Sequence, residues 1–192
     1  MKKRSAAVLA VLIIVVLGVI LALTVVNRQN NAQGETGAET VQNSPEPDAV
    51  YEAVKAAYGE NYLPNMRLTD EEAEVRYGIT SDLYKSVIAE VPMISAQVDE
   101  LVIVQARDEA ARDTLQEALT AYQDMLKADT FQYPANQLKI QASNVYVKGD
   151  YVCFIMLGVL DNETTQQADE GKVIEAYRAE NEKAVAAIDA LF

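Results

Sequence analysis

The sequence predicts an α+β protein: an N-terminal transmembrane helix, then helices packed on a small, mainly antiparallel sheet with a C-terminal β-hairpin and a final helix. Three observations lead there. An uncharged, mostly apolar run of 22 residues, Ser5 to Val26, follows the basic start "MKKR". Further along, apolar residues recur at helical spacing in several segments. Two others, "LVIV" at 101–104 and "NVYVKGDYVCFIML" at 144–157, change to β-favouring patterns.

The apolar run comes first. At about 1.5 Å per residue it reaches roughly 33 Å, enough to cross a hydrocarbon core of about 30 Å. It is longer than the apolar core of a typical cleaved signal, and Ala22-Leu23-Thr24 makes a poor cleavage site, so it reads as an uncleaved signal anchor. A cleaved secretion signal is the alternative, and it exports the same domain. Lys2, Lys3 and Arg4 outweigh the lone Arg28 on the far side, which places residues 1–4 in the cytoplasm, 5–26 in the cell membrane as a single pass, and the rest outside. Residues 27–48, "NRQNNAQGETGAETVQNSPEPD", have too little apolar surface to offset the cost of ordering and read as a flexible linker spanning about 25 Å on average.

Residues 49–160 read as the extracytoplasmic domain. In "DAVYEAVKAAYG" the residues Val50, Tyr51, Val54, Ala57 and Tyr58 share a helical face, with Asp48 as N-cap and Gly59 as the stop. Thr69 and Glu72 form a capping box at the start of the next helix. A third short helix is expected from Thr80 or Ser81 in "ITSDLYKSVIAEV". Leu101 to Val104 suits a strand buried on both faces. From Asp108 an amphipathic helix carries Ala111, Leu115, Ala118, Leu119, Tyr122 and Leu126 on one stripe.

Tyr133-Pro134 marks a loop, and "LKIQASNVYVKGDYVCFIMLG" reads as two strands joined at Lys148-Gly149-Asp150. By strand parity Val152, Phe154 and Met156 share one face, and Tyr151, Cys153, Ile155 and Leu157 the other. Residues 161–192 form a C-terminal helical extension, with a helix from about Gln167 to Leu191 that docks on the domain or pairs with a partner.

The inventory excludes much chemistry. There is no histidine and only one cysteine, so Ser–His–Asp triads, Cys–His dyads, multi-cysteine zinc sites and internal disulfides are unavailable. Residues 29–192 hold 12 basic against 29 acidic side chains, a balance of −17. Such a surface repels nucleic acid and does not lie flat on an anionic membrane, so attachment rests on the N-terminal helix.

Cys153 follows the apolar run by more than a hundred residues and cannot be the lipidated cysteine of a lipoprotein, which stands directly after its signal. Mid-strand among apolar neighbours, it reads as core, since reactive thiols need electropositive settings. "DNETT" at 161–165 and "DEG" at 169–171 lack the alternating ligands of a calcium loop and read as solvated linker. Ten tyrosines would suit glycan or peptide contact if clustered on the surface. However, Tyr51, Tyr58, Tyr122 and Tyr177 lie at core spacing. No catalytic, cofactor-binding or metal-ligating residue is singled out, and no cofactor is expected.

The order "DELVIVQARD", amphipathic helix, "QYPANQ", "NVYVKGDYVCFIML" resembles the domain of unknown function 4358 family over about residues 49–160. The resemblance implies a small extracytoplasmic domain of Gram-positive bacteria, often a lipoprotein, and lends no activity. This chain departs from it in lacking a lipoprotein cysteine, and its last helix lies outside the resemblance. The functional expectation is a membrane-anchored, acidic, non-catalytic binding or envelope-associated module with an unknown protein or cell-wall partner. The alternatives are a carboxylate-dependent hydrolase acting on cell-wall glycans and an assembly module using the C-terminal helix.

Overall fold

A computed structural model describes residues 44–94, 96–166 and 169–192. The expected anchor at 5–26 and the linker up to Asn43 lie outside the described residues. Among the described residues no helix is long and apolar enough to cross a membrane.

In the described residues six α-helices and five strands follow one another as α1 (Pro47–Tyr58), β1 (Met66–Arg67), α2 (Asp70–Tyr77), β2 (Tyr84–Val91), β3 (Glu100–Ala106), α3 (Glu109–Ala128), α4 (Pro134–Ala142), β4 (Asn144–Lys148), β5 (Tyr151–Met156), α5 (Asn162–Thr165) and α6 (Glu170–Asp189). The strands make one antiparallel sheet in the order β1-β2-β3-β5-β4. The α+β architecture read from the sequence is therefore the one observed.

Local chemistry explains most boundaries. α1 begins at Pro47, whose fixed φ and missing N–H suit the first helical position, so Asp48 sits in the first turn and not at the cap. At α2 the capping box is complete: Thr69 Oγ1 accepts from Glu72 N at 3.2 Å, and Glu72 Oε2 accepts from Thr69 N at 2.8 Å. Asp108 caps α3 by accepting from Ala111 N at 2.9 Å.

Two expectations are corrected. The helix expected from Thr80 or Ser81 is instead a turn, closed by Thr80 Oγ1 donating to Asp82 at 2.6 Å, followed by strand β2. β2 pairs with β3 from Ser86↔Gln105 to Glu90↔Leu101, and that long-range ladder overrides a helical spacing only a few residues long. The loop and early strand expected across Tyr133–Ala142 form helix α4, with Pro134 at its first position. The apolar–polar alternation of "LKIQA" was too short to separate the two periods. The strand starts only at Asn144.

The central strands β3 and β5 are buried on both faces. Ala73 and Tyr77 of α2, Leu115, Leu119 and Tyr122 of α3, and Ile140 of α4 cover Val102, Val104, Val152, Phe154 and Met156. On the opposite face Val50, Tyr51, Val54 and Tyr58 of α1, with Ala184 and Ile188 of α6, cover Leu101, Ile103, Tyr151, Cys153 and Ile155. The parity read from the sequence assigns β5 to its two faces correctly. Gly158 lets the turn after β5 pass close to α6: its φ is +108°, and a Cβ there would collide with Glu180.

Candidate functional site

The buried acids at the start of β3 gather most of the buried side-chain to side-chain hydrogen bonds among the described residues. Alternation along β3 puts Glu100 on the same sheet face as Val102 and Val104, where an unpaired carboxylate would be costly. Four donor contacts resolve this. From the last turn of α2, Arg76 donates Nε to Oε1 at 2.9 Å and Nη2 to Oε2 at 3.1 Å. Tyr77 Oη donates to Oε1 at 2.5 Å, and Tyr122 Oη of α3 lies 3.0 Å from both oxygens.

The two phenol rings meet edge to face with centroids 4.9 Å apart, and Tyr122 meets Phe154 in the same way at 5.4 Å. Burial, reinforced by the Glu100 charge, pushes both phenols well above their ordinary range, so they remain donors. Burial works against the Arg76 charge, but Glu100 more than offsets it.

The neighbouring Asp99 is also buried and pairs with Lys139 of α4. Lys139 Nζ additionally donates to Gly158 O at 2.7 Å and lies 5.5 Å from the Tyr177 ring centroid. Burial raises the Asp99 carboxyl above its ordinary range and lowers the Lys139 ammonium, each opposed by the partner's charge. A third acid, Glu90 of β2, is satisfied in the same style, by Tyr51 and Tyr62 hydroxyls at 3.0 Å each and by Arg67 at 3.5 Å.

Asp99 and Glu100 border a cavity of about 370 Å³. Its apolar wall is Met66 of β1, Val91 at the end of β2, Pro92, Met93 and Val98 of the β2–β3 connection, Leu126 of α3, Ile140 of α4 and Met156 of β5. Arg76, Gln97 and Gln132 supply its remaining polar groups. By contrast, the depression along α3 is lined by that helix alone and the one along α6 by that helix and its cap Asp169, so both lack an enclosing wall.

The residues weighed from sequence fall elsewhere. Cys153 is fully buried, and burial pushes its thiol up to about 12. The two acidic stretches read as solvated linker are helix starts instead: Asp161 caps α5 by accepting from Thr164 N at 2.7 Å, and Asp169 caps α6 by accepting from Lys172 N. Among the described residues no three His, Cys, Asp or Glu side chains are grouped so as to hold a metal ion. Tyr51, Tyr58 and Tyr122 are buried, while Tyr177 is half-buried. The Glu100 cluster was missed by sequence reasoning. Its one signal was an acid in register with the buried side of "ELVIV", a position that obliges the fold to supply partners.

In comparisons with known proteins, the model of a family described as a domain of unknown function, DUF4358, matches residues 57–157, more than half of the chain. No curated protein and no solved structure matches.

Proposed function

The chain belongs to the DUF4358 family, and from that premise we propose that it is a membrane-anchored extracytoplasmic module that binds a partner without catalysing a reaction. The observation that carries the non-catalytic part is the state of its cavity acids. A glycosidase needs one carboxyl free to give a proton and another free to attack or to activate water. Here Glu100 is committed to Arg76, Tyr77 and Tyr122, and Asp99 to Lys139. Each carboxylate is neutralised within the fold, which suits a structural role for both.

The anchored part rests on the sequence: the Ser5–Val26 run and the basic residues before it. Protease treatment of intact cells tests it, with loss of the domain expected and protection overturning the topology. Incubation of the protein with cell-wall glycan tests the other half. No new reducing ends are expected, and release that Glu100→Gln abolishes would make the protein a hydrolase. The apolar face of α6 is spent on the domain's own core through Val173, Ala184 and Ile188, which leaves little apolar surface on it for assembly.

A further inference from the structure

We infer that the cavity beside Glu100 receives a short, uncharged peptide segment, seating one apolar side chain and pairing its backbone amides. This rests on the binding role proposed above and names its ligand. Four features of the cavity select that class.

Its volume, about 370 Å³, lies at the small end of ligand sites, room for a large apolar side chain and its flanking amides. Its mouth is apolar: Met93 is 71% exposed and Met66 41%, and Ile94 next to Met93 is 61% exposed. Flexible, polarisable thioethers at a surface adapt to apolar side chains of differing shape. Phe131 and Tyr133, the chain neighbours of the cavity residue Gln132, are 97% and 68% exposed.

Charge is balanced within the site. Arg76 pairs with Glu100 and Lys139 with Asp99, so an ionised ligand group would enter a desolvated place with no unmatched counter-charge. Polar capacity remains for an amide. Arg76 spends two of its five N–H groups on Glu100 and keeps 43% of its side chain exposed. Gln97 in the wall carries both a donor and an acceptor, and Gln132, whose amide gives one N–H to Asp129 at 3.0 Å, keeps a second N–H and its oxygen.

Among the described residues no aromatic ring lines the cavity to stack on a sugar. Pro45 is held at the Tyr151 end of β5, whereas the cavity is at the Met156 end, roughly 17 Å away at about 3.3 Å per residue.

The test is a titration of the full chain in nanodiscs, followed through methionine methyl resonances. The probes are N-acetyl-Ala-Leu-Ala-amide and N-acetyl-Ala-Glu-Ala-amide, raised into the millimolar range. The leucine peptide is expected to shift the Met66 and Met93 signals saturably, and the glutamate peptide at least tenfold more weakly. Met93→Asp should lower the leucine-peptide affinity about tenfold or more. Val75→Asp, at a site 83% exposed that does not line the cavity, should leave it unchanged. Absence of a saturable shift, equal binding of both peptides, or unchanged binding by Met93→Asp overturns the inference while leaving the non-catalytic reading intact. Cleavage of either peptide overturns the non-catalytic reading instead.

Discussion

Lys139 shows how single residues here are held at a cost. Burial raises Asp99 and lowers Lys139, so the folded state taxes the charge on each. For Asp99 the sign is that its stabilising contribution is fully present below its ordinary value of 3.8 and is lost as the pH rises through its higher folded pKa. For Lys139 the contribution is present above 10.5 and is lost as the pH falls through its lower folded value. Burial thus opposes both charges, and the attraction between the two side chains opposes burial. Lys139→Met alone should strand Asp99 and cost about 3 kcal/mol or more in urea unfolding, whereas Asp99→Leu with Lys139→Met should recover most of that loss. At Cys153 the reading from sequence and the structure agree on an inert core thiol. Cys153→Ala should cost about 1 kcal/mol or somewhat more, and a thiol reagent should label the native protein only as it unfolds. Glu100 is different in kind. Its parity was legible, but its partners were not, because Arg76, Tyr77 and Tyr122 lie 24, 23 and 22 residues away.

Among the elements, α6 carries the clearest consequence. It lies beyond the residues that match the family, as does nearly all of α1. Yet these two helices form the layer over Leu101, Ile103, Tyr151, Cys153 and Ile155. Asn181 ties α6 down: its Oδ1 accepts from Leu157 N at 2.9 Å, and its Nδ2 donates to Ala142 O at 2.9 Å. Asn181→Ala would leave two buried backbone groups unpaired and should cost about 2 kcal/mol or more. Deleting residues 165–192 should abolish cooperative unfolding by circular dichroism, because one face of the sheet would meet water. A change of mass in such a truncation would report misfolding and not a lost assembly contact. The capped or proline starts of α1, α2 and α3 were legible as local events, but Pro134 of α4 was taken for a loop, and Asp161 of α5 and Asp169 of α6 for solvated linker. β2 was illegible for another reason: its identity depends on β3 lying alongside, a partner no window of its own residues contains.

For the whole molecule, acidity sets the expected response to pH. Hydrogen bonds or neighbouring cations hold Glu72, Asp161, Asp189 and Asp150 below their ordinary carboxylate values. Groups with depressed folded pKa stabilise the fold above their ordinary values, 4.5 for Glu72 and 3.8 for the aspartates, and lose that contribution as the pH falls through the folded pKa. Thermal stability should therefore hold down to about pH 5 and drop below about pH 4, with Asp99 acting in the opposite direction. A melting temperature still rising below pH 4 would mean that Asp99 and relief of acidic repulsion outweigh the caps. By itself the sequence determined the fold class, the capping of α2, the two faces of β5 and the burial of its cysteine. Each of these follows from propensity or alternation within a few residues. Only the tertiary structure decided that 84–91 is a strand, that 134–142 is a helix, that α6 completes the core, and that the acids at 99 and 100 are matched beside a cavity. Those outcomes depend on groups brought together across tens of residues, and their energies exist only once the chain has closed on itself.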